Sequence, residues 1–142
     1  MTQEEKDLLL KDLCARLPYG VICNTPKGDG HLCSINKTIF GNKYGINIKA
    51  TERDYFNDRE EVIKPYLRPI SSMTEEEKKE FCKIEGRIAQ YFPCKYIKLI
   101  FSVDELDWLN KKMFDYRKDD EDKTMIKKGI ALKAPEGMYE FE

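Results

Sequence analysis

Histidine is almost missing from this chain: His31 is the only one among 142 residues. No aspartate, cysteine or serine stands near it at a spacing typical of catalytic sites, and general acid–base catalysis needs a partner within hydrogen-bonding reach. The glycines around Gly28 also lack the GxxxxGK[ST] spacing of a phosphate-binding loop. These absences predict a protein that is not an enzyme, and we interpret His31 as a surface residue of a strand.

Paired cysteines are missing as well. The five cysteines are an odd number without a CxxC pair, which favours neither a zinc site nor a disulfide framework. Acidic clusters at residues 75–77 and 119–122 lack the alternating oxygen ligands and glycine of a calcium loop. The sequence therefore predicts no metal and no cofactor. Cys14, on the apolar stripe of the first helix, is expected to be a buried thiol.

Long apolar runs are absent too, since none approaches the roughly 20 residues that a membrane-spanning helix needs. The first residues, MTQEEKDLLLKDL, are acidic and amphipathic, unlike a secretory signal. The 25 basic and 26 acidic side chains nearly cancel, so no overall field attracts nucleic acid or an anionic membrane. We therefore expect a cytoplasmic protein that does not bind membranes.

The periodicity of the apolar residues divides the chain into two parts. It predicts a helix over residues 3–16, and alternating runs separated by glycine turns predict three to five antiparallel strands over residues 21–62. A helical part over residues 74–134 contains two longer helices, the second ending near Tyr116 or Arg117, and an irregular tail follows at residues 135–142. The expected fold is a single α+β domain of residues 1–142 with a small, strongly curved antiparallel sheet, for which an SH3-like barrel is one arrangement.

A proline-bounded junction at residues 63–73 separates the two parts. Pro65 and Pro69 lack amide hydrogens, so this stretch is predicted to be neither a helix nor a central strand. Thr74 and Glu77 have the spacing of a capping box, in which each side chain satisfies a free backbone amide at the start of a helix. The junction is therefore expected to run extended along the surface and to lead into a helix after Thr74.

Aromatic and arginine side chains are the candidates for a binding surface. Tyrosine, tryptophan and arginine are enriched in interface hot spots, and they also stack on unpaired bases. The candidates are Tyr66, Arg68, Trp108, Tyr116 and Arg117. They would form a partner-facing patch where the junction meets the end of the third helix. Two alternatives remain open: most of the rings belong to the core, and Arg68 pairs internally with a glutamate of residues 75–77.

Three stretches carry a resemblance to a group of known proteins: LLLKDLCARLPYGV, KPYLRPISSMTEEE, and DWLNKKMFDYR followed by KGIALKAPEGMY. The chain resembles a family of small uncharacterised proteins from anaerobic gut bacteria and their phages and prophages. It departs from that family by the insertion KDDEDKTM after Arg117. The resemblance implies a phage or prophage accessory protein and supplies no catalytic residues.

Two functions remain after these exclusions. The first is a non-catalytic interaction protein, a phage accessory factor that binds or regulates a host protein. The alternative is a small nucleic-acid-binding module in which the curved sheet makes the contacts, with Lys27, Lys37, Lys43 and Lys49 gathered on one side. Added salt separates the two, because contacts to phosphates release counterions.

Overall fold

A computed structural model describes residues 2–37, 44–49, 55–59, 62–84, 103–117 and 123–139. The elements in chain order are α1 (Gln3–Arg16), β1 (Ile22–Thr25), β2 (Gly28–Lys37), β3 (Tyr44–Lys49), β4 (Tyr55–Arg59), β5 (Lys64–Pro69), α2 (Glu75–Ile84), α3 (Val103–Lys111), β6 (Phe114–Asp115), α4 (Met125–Lys128) and β7 (Leu132–Lys133). The predicted α+β class and the N-terminal helix are confirmed. The alternation of Tyr96 and Lys98 favours a further strand at residues 94–101, which lie outside the described ranges.

The strands form one mixed sheet. Its order is β4-β3-β2-β1-β5-β6, and β7 pairs with β5 outside this path. The pairs from β4 to β5 along this order are antiparallel, whereas β6 and β7 both run parallel to β5. In the described part of the chain β4 and β6 do not pair with each other, so the sheet is open. The prediction of an antiparallel sheet is thus only partly right, and the SH3-like barrel is not confirmed.

The first core lies between α1 and one face of the sheet. Leu9 and Leu13 of α1 are fully buried there together with apolar residues of β1, β2, β3 and β5. Cys14 is exposed, so the prediction of a buried thiol is wrong. It lies about 140° around the helix from Leu9, because each residue turns an α-helix by about 100°. Asp12 and Arg16 occupy the buried side instead.

The proline-bounded stretch is a strand, β5, in the middle of the sheet, so the prediction that it is not a central strand is wrong. Backbone groups of successive strand residues point to opposite sides. Pro65 and Pro69 therefore place both missing amides on the same side. The other side keeps its donors, and Arg68 N–H donates to the residue before β6 at 2.7 Å. On the side where the proline amides are missing, β5 acts as an acceptor. The Leu67 carbonyl accepts from Ala134 N–H at 2.8 Å, and this bond needs no amide hydrogen of Pro65 or Pro69.

A second core joins α2, α3 and β6. Its buried members are Met73, Phe81, Trp108, Leu109, Phe114 and Tyr116. The third helix ends at Lys111, so the prediction that it continues to Tyr116 or Arg117 is wrong. Met113 has a left-handed backbone with φ of 63°, and the chain then becomes β6 beside β5. Pairing with β5 therefore replaces the helical hydrogen bonds that the apolar spacing had suggested.

The starts of α2 and α4 are capped as their sequences indicate. The amide of Glu77 donates to Thr74 Oγ1 at 3.2 Å, and the amide of Thr74 donates to Glu77 Oε1 at 3.1 Å, which confirms the predicted capping box. Thr124 caps α4, and Gly129 ends it with φ of 79°. The strand β7 follows in a region predicted to be helical, and that part of the prediction is wrong.

Candidate functional site

Arg68 faces inward to Glu77 from the end of β5. Its two terminal nitrogens donate to the two carboxylate oxygens of Glu77 at 2.8 and 2.7 Å. The guanidinium also lies 4.3 Å from the centroid of the Phe114 ring and donates to the Lys112 carbonyl. The internal pairing considered as an alternative is therefore present, and it ties the strand β5 to the first turn of α2.

The Arg68–Glu77 pair predicts a pH dependence of stability. Burial alone would raise the pKa of Glu77, but hydrogen bonds from Arg68 and Thr74 outweigh it and hold the pKa below its usual value. A depressed pKa stabilises the fold above the unfolded-state pKa, and this stabilisation is lost as the pH falls through the folded-state pKa. We expect Glu77→Gln, which keeps the cap, to lower the free energy of unfolding by about 1–2 kcal/mol at pH 7.

The measurement is urea denaturation of the wild type and of Glu77→Gln between pH 7 and pH 3. The difference between them should shrink as the pH falls below about 4.3, the ordinary pKa of glutamate. Glu76→Gln, an exposed neighbour in the same turn, is the control and should stay within about 0.5 kcal/mol of the wild type. A difference that is constant with pH would contradict this assignment.

Trp108 belongs to the second core. Its ring packs 5.2 Å from that of Phe81 and is stacked 5.7 Å from that of Phe114. The indole N–H donates to Glu80 Oε1 at 2.9 Å, at the edge of the core. With 8% of its surface exposed, Trp108 offers a partner little contact area.

Tyr116 and Arg117 lie in a buried group of charged side chains, here called the arginine cluster. Asp12 accepts from Arg16 Nε and from Arg117 Nε, each at 2.9 Å. Arg16 also donates to the Phe114 carbonyl, and both guanidinium groups lie within 5.5 Å of the centroid of the Tyr116 ring. The cluster therefore joins α1 to the segment that follows α3.

Burial makes the arginine cluster a structural feature. Asp12 and Arg16 have no exposed surface, and Arg16 Nη1 has no hydrogen-bond partner among the described residues. The Tyr116 hydroxyl donates to Asn110 Oδ1 at 2.8 Å, and burial raises the pKa of that hydroxyl. These groups hold each other and point away from solvent.

Asp115 fastens α4 to the rest of the fold. Its carboxylate accepts from the Met125 amide at 3.2 Å and from the Ile126 amide at 2.9 Å. Burial raises the pKa of Asp115, although these amide hydrogen bonds act in the opposite direction. The carboxylate thereby satisfies backbone donors at the start of the helix, which have no partner within it.

Tyr66 lies on the same face of β5 as Arg68, two residues earlier in the strand, but it binds different partners. Its hydroxyl lies 3.1 and 3.2 Å from the two carboxylate oxygens of Asp29, to which it donates. Asp29 also accepts from Asn24 Nδ2 at 2.8 Å. The five candidate residues are therefore distributed over three places, and whether any of them contacts a partner stays a prediction.

A cleft of about 570 Å³, which is not predicted from the sequence, lies beside the end of β5. One wall consists of Arg68, Pro69, Ser72 and Thr74, at the passage from β5 to α2. The other wall consists of residues 133–137 and Tyr139. The lining thus combines apolar groups, among them two proline rings, with hydroxyl groups and charged side chains. The cleft has the amphipathic character of a binding site.

The rim carries two charges of opposite sign. Lys133 and Glu136 are exposed, and neither makes an ion pair with the described residues. Arg68 in the opposite wall differs from them, because its charge is compensated by Glu77. The rim charges are therefore available to a ligand.

Residues 135–139, here called the strap, form the outer wall of the cleft. Their β-turn is closed by a hydrogen bond from Met138 N–H to Pro135 O at 3.1 Å, with Gly137 at φ of 80°. Tyr139 ends the strap. Its hydroxyl accepts from Ile22 N–H at 3.0 Å and donates to Tyr66 O at 2.6 Å. A side chain of the strap thus joins two strands of the sheet.

His31 and the three described thiols, Cys14, Cys23 and Cys33, form no second centre. His31 is exposed as predicted, and its Nδ1 lies 2.9 Å from the Gly20 carbonyl. Cys33 is exposed at a β-bulge, whereas burial raises the pKa of Cys23. Among the described residues, no group of three or more His, Cys, Asp or Glu side chains is placed to hold a metal ion.

None of the described helices is long and apolar enough to span a membrane. Comparisons of the chain with protein-family models, with curated proteins and with solved structures found no match. The chemistry of the cleft is therefore the basis for a functional assignment.

Proposed function

We propose that this protein is a cytoplasmic, non-catalytic interaction protein that binds another protein through the cleft. The observation that carries the proposal is the cleft itself, a concave surface of about 570 Å³ lined by Lys133 and Glu136, which make no ion pair with the described residues. A phage or prophage accessory factor that acts on a host protein would need such a surface. The resemblance described above favours this context.

The internal pairing of the reactive groups supports a role in binding. Asp12, Arg16, Arg68 and Asp115 each hold one element of the fold to another. Of these four, Arg68 lines the cleft, and its pairing with Glu77 fixes the wall that leads from β5 to α2. Pro69 adds to the rigidity of this wall, because a proline ring fixes one backbone angle and leaves less entropy to be lost on binding.

Reversal of one rim charge tests the proposal. Capture of the tagged protein with its partner from host cells, followed by mass spectrometry, identifies the candidate, and calorimetry with the purified partner measures the affinity. We expect Lys133→Glu to weaken binding by about tenfold, equivalent to about 1.4 kcal/mol. Lys133 is exposed, so the change should leave the fold intact.

Lys83→Glu is the matched control, since Lys83 is an exposed lysine near the far end of α2. It makes the same change in net charge away from the cleft and should alter the affinity by less than about twofold, because isolated surface charges have small effects. Equal losses in the two variants would mean that the partner senses net charge, and the cleft would be excluded as the contact site.

The nucleic-acid alternative has less support. Tyr66, an aromatic residue of the sheet, has its hydroxyl bound to Asp29, and the negative charge of that carboxylate would repel a phosphate bound at this position. Of the lysines considered, Lys27 is exposed at the hairpin, Lys43 lies outside the described residues, and the side chain of Lys37 is not described. We expect no binding of labelled oligonucleotides at tens of micromolar in low salt. Binding that weakens steeply with salt would favour this alternative.

A further inference from the structure

The backbone pairing of β1 with β5 covers two residue pairs and lacks the third pair that the register allows. Asn24 pairs with Lys64 and Cys23 with Pro65, so Ile22 and Tyr66 come next in the antiparallel register. These two residues do not bond directly, because the Tyr139 hydroxyl stands between them, accepting from Ile22 N–H and donating to Tyr66 O. A side chain from residue 139 thus completes the ladder in place of a backbone bond.

The ring of Tyr139 packs against the first core, and the strap before it is lightly held. Pro135, Glu136 and Gly137 are exposed, and a Cβ added at Gly137 would meet no atom within 4 Å. Before the strap, the Ala134 amide anchors the chain to Leu67 O. Segments with few buried apolar contacts open locally at low free energy. The strap is therefore a short segment that is fixed by the Ala134 amide at one end and by the Tyr139 hydroxyl at the other.

We propose that the strap is a movable wall of the cleft and that the Tyr139 hydroxyl is its latch. When the latch is released, the outer wall of the cleft moves and the gap between β1 and β5 opens with it. A ligand that contacts the strap in its closed position stabilises the latched state, because it binds that state better than the open one. Its role in regulating partner binding rests on the proposed function, whereas the latch follows from geometry alone.

Amide hydrogen exchange of the full chain, followed residue by residue by NMR, tests the latch. Tyr139→Phe removes one oxygen and keeps the ring. We expect the amides of Ile22, Ala134 and Met138 to exchange about tenfold faster. This corresponds to a decrease of about 1.4 kcal/mol in the free energy of local opening. The amides of the β2–β3 ladder should keep their wild-type rates. Equal acceleration throughout the chain would mean that the hydroxyl serves only global stability, and it would overturn the proposal.

Two further variants complete the test. Tyr19→Phe removes the hydroxyl of an exposed tyrosine and should change none of these rates. Gly137→Ala strains the turn at positive φ without touching the latch. In that variant the Ile22 amide should also exchange faster, because strap and latch move together. Faster exchange of Met138 with an unchanged rate at Ile22 would show that they are independent and would overturn the proposal.

The two proposals fail in different ways. Unchanged exchange in Tyr139→Phe removes the latch and leaves the cleft as the contact site. An unchanged affinity in Lys133→Glu removes the cleft as the contact site, and the exchange result still decides whether the strap is latched.

Discussion

Asp12→Ala should lower the free energy of unfolding by about 3–5 kcal/mol, the usual loss when one partner of a buried ion pair is removed. Asp12 is the common acceptor of Arg16 and Arg117. Without it, the fully buried Arg16 keeps only the Phe114 carbonyl among its hydrogen bonds, and its charge is uncompensated. Urea denaturation at pH 7 measures the change.

Asp7→Ala is the matched control, because Asp7 is an exposed aspartate of the same helix. It should cost less than about 0.5 kcal/mol. The double variant Asp12→Leu with Arg16→Met replaces the buried charges by apolar groups and should recover much of the loss, as such replacements are often neutral or stabilising. A loss below about 1 kcal/mol for Asp12→Ala would contradict the burial of the arginine cluster.

Phe114→Ala should have a comparable effect, about 3–5 kcal/mol, because it removes a fully buried ring and leaves a cavity. The ring is stacked on Trp108 and lies beneath the guanidinium of Arg68. Its loss therefore removes the shared neighbour of the second core and of the Arg68–Glu77 pair. Guanidinium denaturation followed by circular dichroism measures the change.

Two variants set the scale for this result. Phe114→Leu keeps much of the apolar volume but removes the ring face, so we expect an intermediate loss. Val103→Ala shortens a side chain that is 74% exposed at the start of α3 and should cost less than about 0.5 kcal/mol. The assignment of Phe114 to the core would be wrong if Phe114→Ala lost no more than Val103→Ala.

The elements predicted correctly are those encoded by neighbouring residues. Capping by Thr74 and Glu77, or an end at Gly129, depends on contacts within one helical turn. Such contacts do not depend on the tertiary structure around the helix. This is why the starts of α1 and α2 could be predicted from the sequence.

The wrong predictions concern elements whose structure depends on residues far away in the sequence. The apolar spacing of α3 continues past Lys111, but the helix ends there, because the chain turns at Met113 and pairs with β5. Pro65 and Pro69 lie in a central strand against the prediction, because their missing amides lie on the side that needs none. In α1 the buried Asp12 is paired with Arg16 and with Arg117, which lies more than 100 positions away.

The cleft could not be predicted for a related reason. Its walls come from residues 68–74 and 133–139, which meet only because the two-residue strand β7 pairs with β5. A strand of that length has no measurable periodicity. Tyr66, Arg68, Trp108, Tyr116 and Arg117 were selected by residue type, and residue type does not distinguish a hot spot from a structural contact. Of these five, Arg68 lines the cleft.

The position of the single tryptophan limits what a fluorescence experiment reports. Trp108 lies in the second core, and the first core between α1 and the sheet contains no tryptophan. Emission therefore follows the melting of one cluster, whereas far-ultraviolet circular dichroism also follows the melting of α1. Superimposable curves from the two probes would identify the two cores as one cooperative unit, and separated midpoints would identify an intermediate in which only one of them is formed.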